Sequence, residues 1–317
     1  MDIERRAHQT WKETGKLFLH QWRHQLMIIP AMISFLIFSY IPLSGLVNSV
    51  LDYQLTDGFY GHAFAGITYF KQLFSDSDFF LAMKNTLGMS AIKFPFTFVC
   101  PIFLALTLNE LSSLRLKKLT QTGSYLPHFL SYVIVATLWM IFLDRRGPIN
   151  QVLASMHLIN QPVEFLAESR LFWGVCTFID CWQETGWNAI IYLAAISGID
   201  QEIYEAAAVD GAGRVQRILH VTLPSIGWTI GVLFIMNIGN LLSGGPVGSN
   251  FNQSFLLGNS FNHSTSYVIQ NFVVTTGLNQ LRFSFASAAN LIISTLSVAL
   301  LLTANHVSKK RFGKSVF

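Results

Sequence analysis

The 317-residue chain is 51% hydrophobic and only 12% charged, about half the charged share of a soluble domain. Its mean hydropathy of +0.43 excludes an ordinary soluble globule and points to a polytopic membrane protein. The net charge of +4 raises nucleic acid as a partner, an option that the placement of the basic residues removes below.

Residues 1–25 read as a cytosolic, partly amphipathic helix held at the membrane surface by Trp11, Leu17, Phe18 and Trp22. The stretch is polar, unlike a cleaved signal peptide. His20 and His24 stand four apart without a third ligand, so interfacial side chains are a better reading than a metal site. Region 26–78 holds a first span, 26–47, and an outward segment with Asp52, Asp57, Asp76 and Asp78 against Lys71. A long apolar stretch follows over 79–108, interrupted by Lys84, Lys93, Pro95 and Pro101. At about 1.5 Å per residue it exceeds a bilayer, so its outer end is expected to project or break.

A basic turn at 109–121 leads into a third span, 122–143, and a second outward segment, 144–170, opens on Arg146-Gly147-Pro148. A fourth span covers 171–198. A polar hairpin of two short helices occupies 201–226: strong helix formers from Glu202 to Val209, a break at Gly211 and Gly213, a restart at Arg214 and a stop at Leu223-Pro224. The fifth span, 225–243, opens into a Gly/Asn/Ser-rich outward segment that contains Gly244-Gly245-Pro246 and a short helix expected to lie on the outer face over 266–276. A sixth span covers 284–304, and the tail, 305–317, carries Lys309, Lys310, Arg311 and Lys314.

Charge bias sets the orientation. The N-terminal segment, the 109–121 turn, the hairpin and the tail hold most of the lysines and arginines, whereas the opposite side holds only Lys71, Arg145, Arg146, Arg170 and Arg282. By the positive-inside rule both termini and the hairpin are cytosolic. The basic balance is thus a topology signal, and nucleic acid drops out. Cys100, Cys176 and Cys181 lie in apolar runs without a Cys-x-x-Cys pair, so no disulfide framework or zinc site is indicated.

By spacing alone the hairpin is equally compatible with a solvated loop that binds nothing. Its residues add a resemblance: Glu205-Ala206-Ala207, Asp210-Gly211-Ala212 and Leu223-Pro224 are similar to the EAA loop of permease subunits in binding-protein-dependent ABC importers. Asn85-Thr86-Leu87, the Ser124 to Phe129 run, Gly147-Pro148-Ile149-Asn150, Phe255 to Asn259 and Gly277-Leu278 resemble the same family, in its LplB-like oligosaccharide branch. Ser260, where proline is frequent, and Gln270-Asn271, in place of Asp-Thr, depart from that pattern and bear on substrate and binding protein rather than on coupling.

The resemblance implies an all-α polytopic protein with a type I ABC importer permease fold, about six transmembrane helices, both termini cytosolic and a membrane domain over 79–304. It implies a multi-pass location in the bacterial cytoplasmic (inner) membrane. It assigns ATPase coupling to Tyr204, Glu205, Ala206, Ala207, Asp210, Gly211, Ala212, Arg214, Leu223 and Pro224. The implied partners are two ATPase subunits, which carry the ATP and Mg, a second permease subunit, an extracytoplasmic solute-binding protein, membrane lipid and an oligosaccharide, neutral or of the acidic uronate type. No cofactor is expected on this chain, and no catalysis. Consistently, the sequence lacks a Gly-x-x-x-x-Gly-Lys-Ser/Thr phosphate loop and the His-Glu-x-x-His and Gly-x-Ser-x-Gly motifs of hydrolases.

Polar groups inside spans are costly in lipid and mark a cavity or a partner. Asp180, Glu184 and Asn188 recur every four residues on the fourth span, with Trp187 alongside. Lys93 and Glu184 lie at similar depths counted from the cytosolic ends of their spans. That places them near one another around a polar cavity, unless each reaches water or headgroups separately. Asn237, Asn240 and Asn290 are candidates to hydrogen-bond sugar hydroxyls, and Trp139 and Trp187 to stack on pyranose faces. Interhelical bonding and packing are the commoner uses of such residues. Two other functions fit the same spans: an ion-coupled secondary transporter using such charged pairs, and a membrane scaffold that uses the hairpin only for binding.

Overall fold

The computed structural model describes residues 22–54, 56, 63–242 and 249–312. Most of the surface helix expected over 1–25, the Gly244-Gly245-Pro246 turn and the end of the basic tail lie outside these residues. Helix α1, Trp22–Phe35, continues through a π turn and a 3-10 turn to Val50. Its apolar side chains are uncovered by the rest of the chain, Met27 at 79% and Phe38 at 77% exposure, the pattern of a helix whose surroundings are lipid. It is tied down at its far end, where the Tyr53 N–H donates to Ser284 Oγ at 2.8 Å. Nearby the Tyr69 hydroxyl donates to Asp52 Oδ1 at 2.5 Å. Burial, reinforced by that carboxylate, pushes the Tyr69 phenol up and keeps it a donor.

Helix α2, Ser77–Glu110, is started by Asp76, whose carboxylate accepts from the Asp78 and Phe79 N–H groups. Its 34 residues run about 51 Å, well beyond about 30 Å of hydrocarbon. The helix passes through Pro95 and Pro101 without ending, so it projects and does not break. Helix α3, Leu114–Tyr125, and helix α4, Tyr132–Leu143, replace the continuous third span expected over 122–143. The segments Leu114–Phe129 and Tyr132–Ser155 that contain them are bent by 104°. Pro127 within the turn and Ser131, which caps α4 by accepting from the Ile134 N–H, fix the break.

Helix α5, Phe172–Ser197, is the centre of the bundle. Glycines let neighbours close on it: a Cβ on Gly186 would sit 2.0 Å from Ser124 O of α3, and one on Gly88 of α2 would sit 2.4 Å from the Trp173 ring. Among the described residues three helices are long and apolar enough to cross a membrane, or up to five when each bent pair counts as one span. Helix α5 falls short on composition because Asp180, Gln183 and Glu184 lie along it, all buried inside the bundle.

The hairpin comprises α6, Gln201–Val209, and α7, Arg214–Arg217. Helical turns extend α7 to Ser225, so the chain stops at Ile226 rather than at Pro224. It then bends by 63° into α8, Gly227–Gly239. Beyond it lie α9, Ser249–Leu257, and α10, Ile269–Val274. The short helix expected over 266–276 packs into the core: Ile269 and Phe272 are buried with Phe79 and Phe285, near the starts of α2 and of the final helix. Its first turn is held by the Ile269 N–H donating to Thr86 Oγ1 at 2.9 Å, and Asn85 Nδ2 donates to Tyr267 O at 3.0 Å. Helix α11 runs Phe283–Phe312, past the 304 boundary expected for the last span.

Candidate functional site

Two places combine unusual chemistry with placement: the hairpin and a buried polar seam where α2, α5 and α9 meet.

The hairpin owes its shape to local signals. Asp200 Oδ1 accepts from the Glu202 N–H at 3.0 Å to start α6. Gly211 turns the chain at φ +78°, a conformation that side chains disfavour. The Gly213 N–H donates to Gln216 Oε1 at 2.8 Å to start α7. Tyr204 and Thr222 hydroxyls lie 2.9 Å apart and close the two halves. Thr222 is buried, while Glu205, Ala206, Ala208, Asp210 and Arg214 are exposed, and Ala207, Ala212 and Leu223 half-buried. Val209 at the tip is 89% exposed and Val215 68%. The knuckle is therefore fixed on the side that meets the bundle and bare on the other.

In the seam Lys93 Nζ lies 2.8 Å from Asp180 Oδ2, both side chains being almost fully buried. Gln253 closes the triangle: its Oε1 accepts from Lys93 Nζ at 2.6 Å and its Nε2 donates to Asp180 Oδ1 at 2.7 Å. Only this amide orientation serves both charges. Ser249 Oγ stands 3.5 Å from Lys93 Nζ. Ser90 Oγ donates to Leu241 O at 2.7 Å and accepts from Asn250 Nδ2 at 2.9 Å, extending the network to the end of α8. Desolvating two charges costs several kcal/mol per ion, and the closed set of bonds offsets that cost while fixing three helices to one another.

The expected Lys93–Glu184 neighbourhood is corrected: the carboxylate against Lys93 is Asp180, one turn away along α5. Glu184 Oε2 instead meets His128 Nδ1 at 2.9 Å. The His128 ring stacks on Trp187, 4.3 Å between centroids and 4° between planes. Depth counted along a sequence fixes height but not which way a helix face turns, and the broken third span brings His128 within reach of Glu184. His128, Ser249 and Gln253 were absent from the sequence-derived site. The first stands in a recognised motif, whereas the other two lie in a segment that reads as an irregular connection.

The remaining candidates are dispersed. Trp139 is buried at 6% exposure among Phe142, Phe178 and Trp182. Trp187 is 40% exposed with one face covered by His128. Asn188 is half-buried on α5, and Asn240 is exposed where α8 ends. Asn237 Nδ2 donates to Leu233 O of its own helix at 2.8 Å, beside a small cleft that Lys93 and Ser90 also line. Asn290 lines a cavity of about 550 Å³ together with Phe251, Gln270, Ser294 and Ser297. Gln270 Oε1 and Ser297 Oγ have no partner there. Among the described residues no group of three His, Cys, Asp or Glu is placed to hold a metal.

Residues 97–313 match the family of the binding-protein-dependent transport system inner membrane component. The chain is 38% identical to Protein LplB of Bacillus subtilis, over 92% of this chain and 90% of that protein. It is 39% identical to the polygalacturonan/rhamnogalacturonan transport system permease protein YteP of the same organism, over 91% and 88%. Among solved structures it is similar to a chain of a bacterial alginate ABC transporter in complex with an alginate pentasaccharide-bound periplasmic protein. The TM-score is 0.83 at 35% identity, covering 95% of this chain and 99% of that one.

Proposed function

This chain belongs to the family of binding-protein-dependent transport system inner membrane components, the membrane permeases of ABC importers, and on that premise we propose that it passes an acidic, uronate-type oligosaccharide inward. Support for the acidic class comes from relatives named for polygalacturonan and alginate. The chain's own part is mechanical. Nucleotide chemistry belongs to two separate ATPase subunits that hold ATP and Mg, and an extracytoplasmic binding protein delivers the sugar to this chain and a second permease chain.

The observation that carries the coupling role is the hairpin, closed on itself by the Tyr204–Thr222 hydroxyl contact, with Thr222 buried and Val209 and Val215 bare. Apolar side chains this exposed on a polar knuckle suit the cleft of a soluble partner. Both termini and this knuckle lie on the cytosolic side, in keeping with the charge bias. ATP binding draws the two ATPase subunits together and the knuckles with them. The helices rooted in the seam then move as a unit because Lys93, Asp180 and Gln253 join them.

Reconstitution of the full complex tests this. ATP hydrolysis stimulated by loaded binding protein, and lost when Glu205 or Gly211 is substituted, is the expected result. Uptake driven by a proton or sodium gradient without ATP would instead establish the ion-coupled reading.

A further inference from the structure

A cavity of about 430 Å³ opens between α4 and the start of α5, with Trp139, Phe165, Phe178 and Ile179 in its walls and Arg170 among its lining residues. Three features are left over from the packing of this chain. Arg170 is exposed and has no ion pair among the described residues. Trp139 is 6% exposed, yet its indole Nε1–H has no acceptor, a cost normally met by a partner. Gly174 lies in the first turn of α5, and a Cβ there would meet nothing within 4 Å. Nothing in the chain itself requires glycine at that position.

We propose that this cleft binds one anionic phospholipid, its acyl chain laid over Gly174 between Trp139 and Phe178 and its phosphate at Arg170. Apart from Arg170 and the Trp139 N–H the walls are apolar, which suits an acyl chain better than a sugar. The cation lies immediately before α5, where the charge bias puts the outer membrane boundary, and a headgroup phosphate sits at that height. The ester oxygen just below the phosphate supplies the acceptor that the Trp139 N–H lacks. The site does not depend on what the chain transports.

The test uses the assembled transporter in vesicles of phosphatidylcholine with or without phosphatidylglycerol, followed by native mass spectrometry of lipid retained after extraction. Wild type should keep phosphatidylglycerol selectively. Arg170→Gln should weaken retention about fivefold, the worth of one interfacial cation. Gly174→Leu, which fills the cleft, should reduce retention to that of phosphatidylcholine, and Lys71→Gln, an exposed outward cation elsewhere, should leave it unchanged. Equal retention by wild type, Arg170→Gln and Gly174→Leu overturns the site. So does efficient crosslinking of Gly174→Cys to the second permease chain, which would make the cleft a subunit interface. Arg170 is exposed, so its variant reports even where the Gly174 variant fails to assemble.

Discussion

Lys93 of α2 and Asp180 of α5 form an ion pair of 2.8 Å with side-chain exposures of 3% and 2%, and Gln253 of α9 bonds to both. Replacing one partner strands the other charge. Lys93→Met should therefore destabilise the folded chain by about 3–5 kcal/mol. Lys93→Met combined with Asp180→Leu should recover much of that loss. Thermal unfolding followed by size-exclusion in detergent measures both, and a single-mutant loss near zero would show that the pair is not buried in the working protein.

Glu184→Gln should behave differently. A glutamine amide still offers a polar partner to His128 Nδ1, now 2.9 Å from the carboxylate, so stability should fall by about 1 kcal/mol. Glu184→Leu leaves the histidine without a partner and should cost more. The order Lys93→Met, Glu184→Leu, Glu184→Gln, from most to least damaging, is the checkable outcome in the same unfolding assay.

Two glycines of α5 should respond oppositely to alanine. Gly186→Ala drives a Cβ to 2.0 Å from Ser124 O and must part α3 from α5, a loss of about 1–3 kcal/mol or more. Gly174→Ala meets open space and should be neutral, or stabilising by up to about 1 kcal/mol. Yield and melting temperature of the two variants suffice; equal effects would mean that the α3–α5 approach is looser than described.

In the hairpin, Gly211→Val imposes a β-branched side chain at φ +78°, a strain of about 1–2 kcal/mol. Confined to an exposed turn, it should spare the bundle's stability and depress binding-protein-stimulated ATP hydrolysis. Tyr204→Phe removes the 2.9 Å contact to Thr222. It should leave basal hydrolysis near wild type while lowering transport per ATP, as measured by labelled-sugar uptake in proteoliposomes.

Local rules carried the hairpin: the break at Gly211, the restart at Arg214 and the charged border are short-range, and the structure follows them apart from the stop, which slips from Pro224 to Ile226. Long apolar runs likewise announced α1, α2 and α11, because a helix of that length and composition has no stable surroundings but lipid. The break in the third span is not legible in the sequence because Pro127 and Ser131 interrupt a run whose mean hydropathy hides it. The polar stretch at 249–257 reads as a connection, yet Ser249 and Gln253 are buried because they complete the bonding of two charges far away in sequence.

The chain by itself thus determined that it forms long apolar helices, what surrounds them and where the polar knuckle turns, since each depends on residues within a few turns of one another. Tertiary structure alone decided that Lys93 takes Asp180 and not Glu184, that His128 takes Glu184, and that α10 is buried. Those outcomes depend on the azimuth and separation of helices, which periodicity along one strand of sequence does not encode.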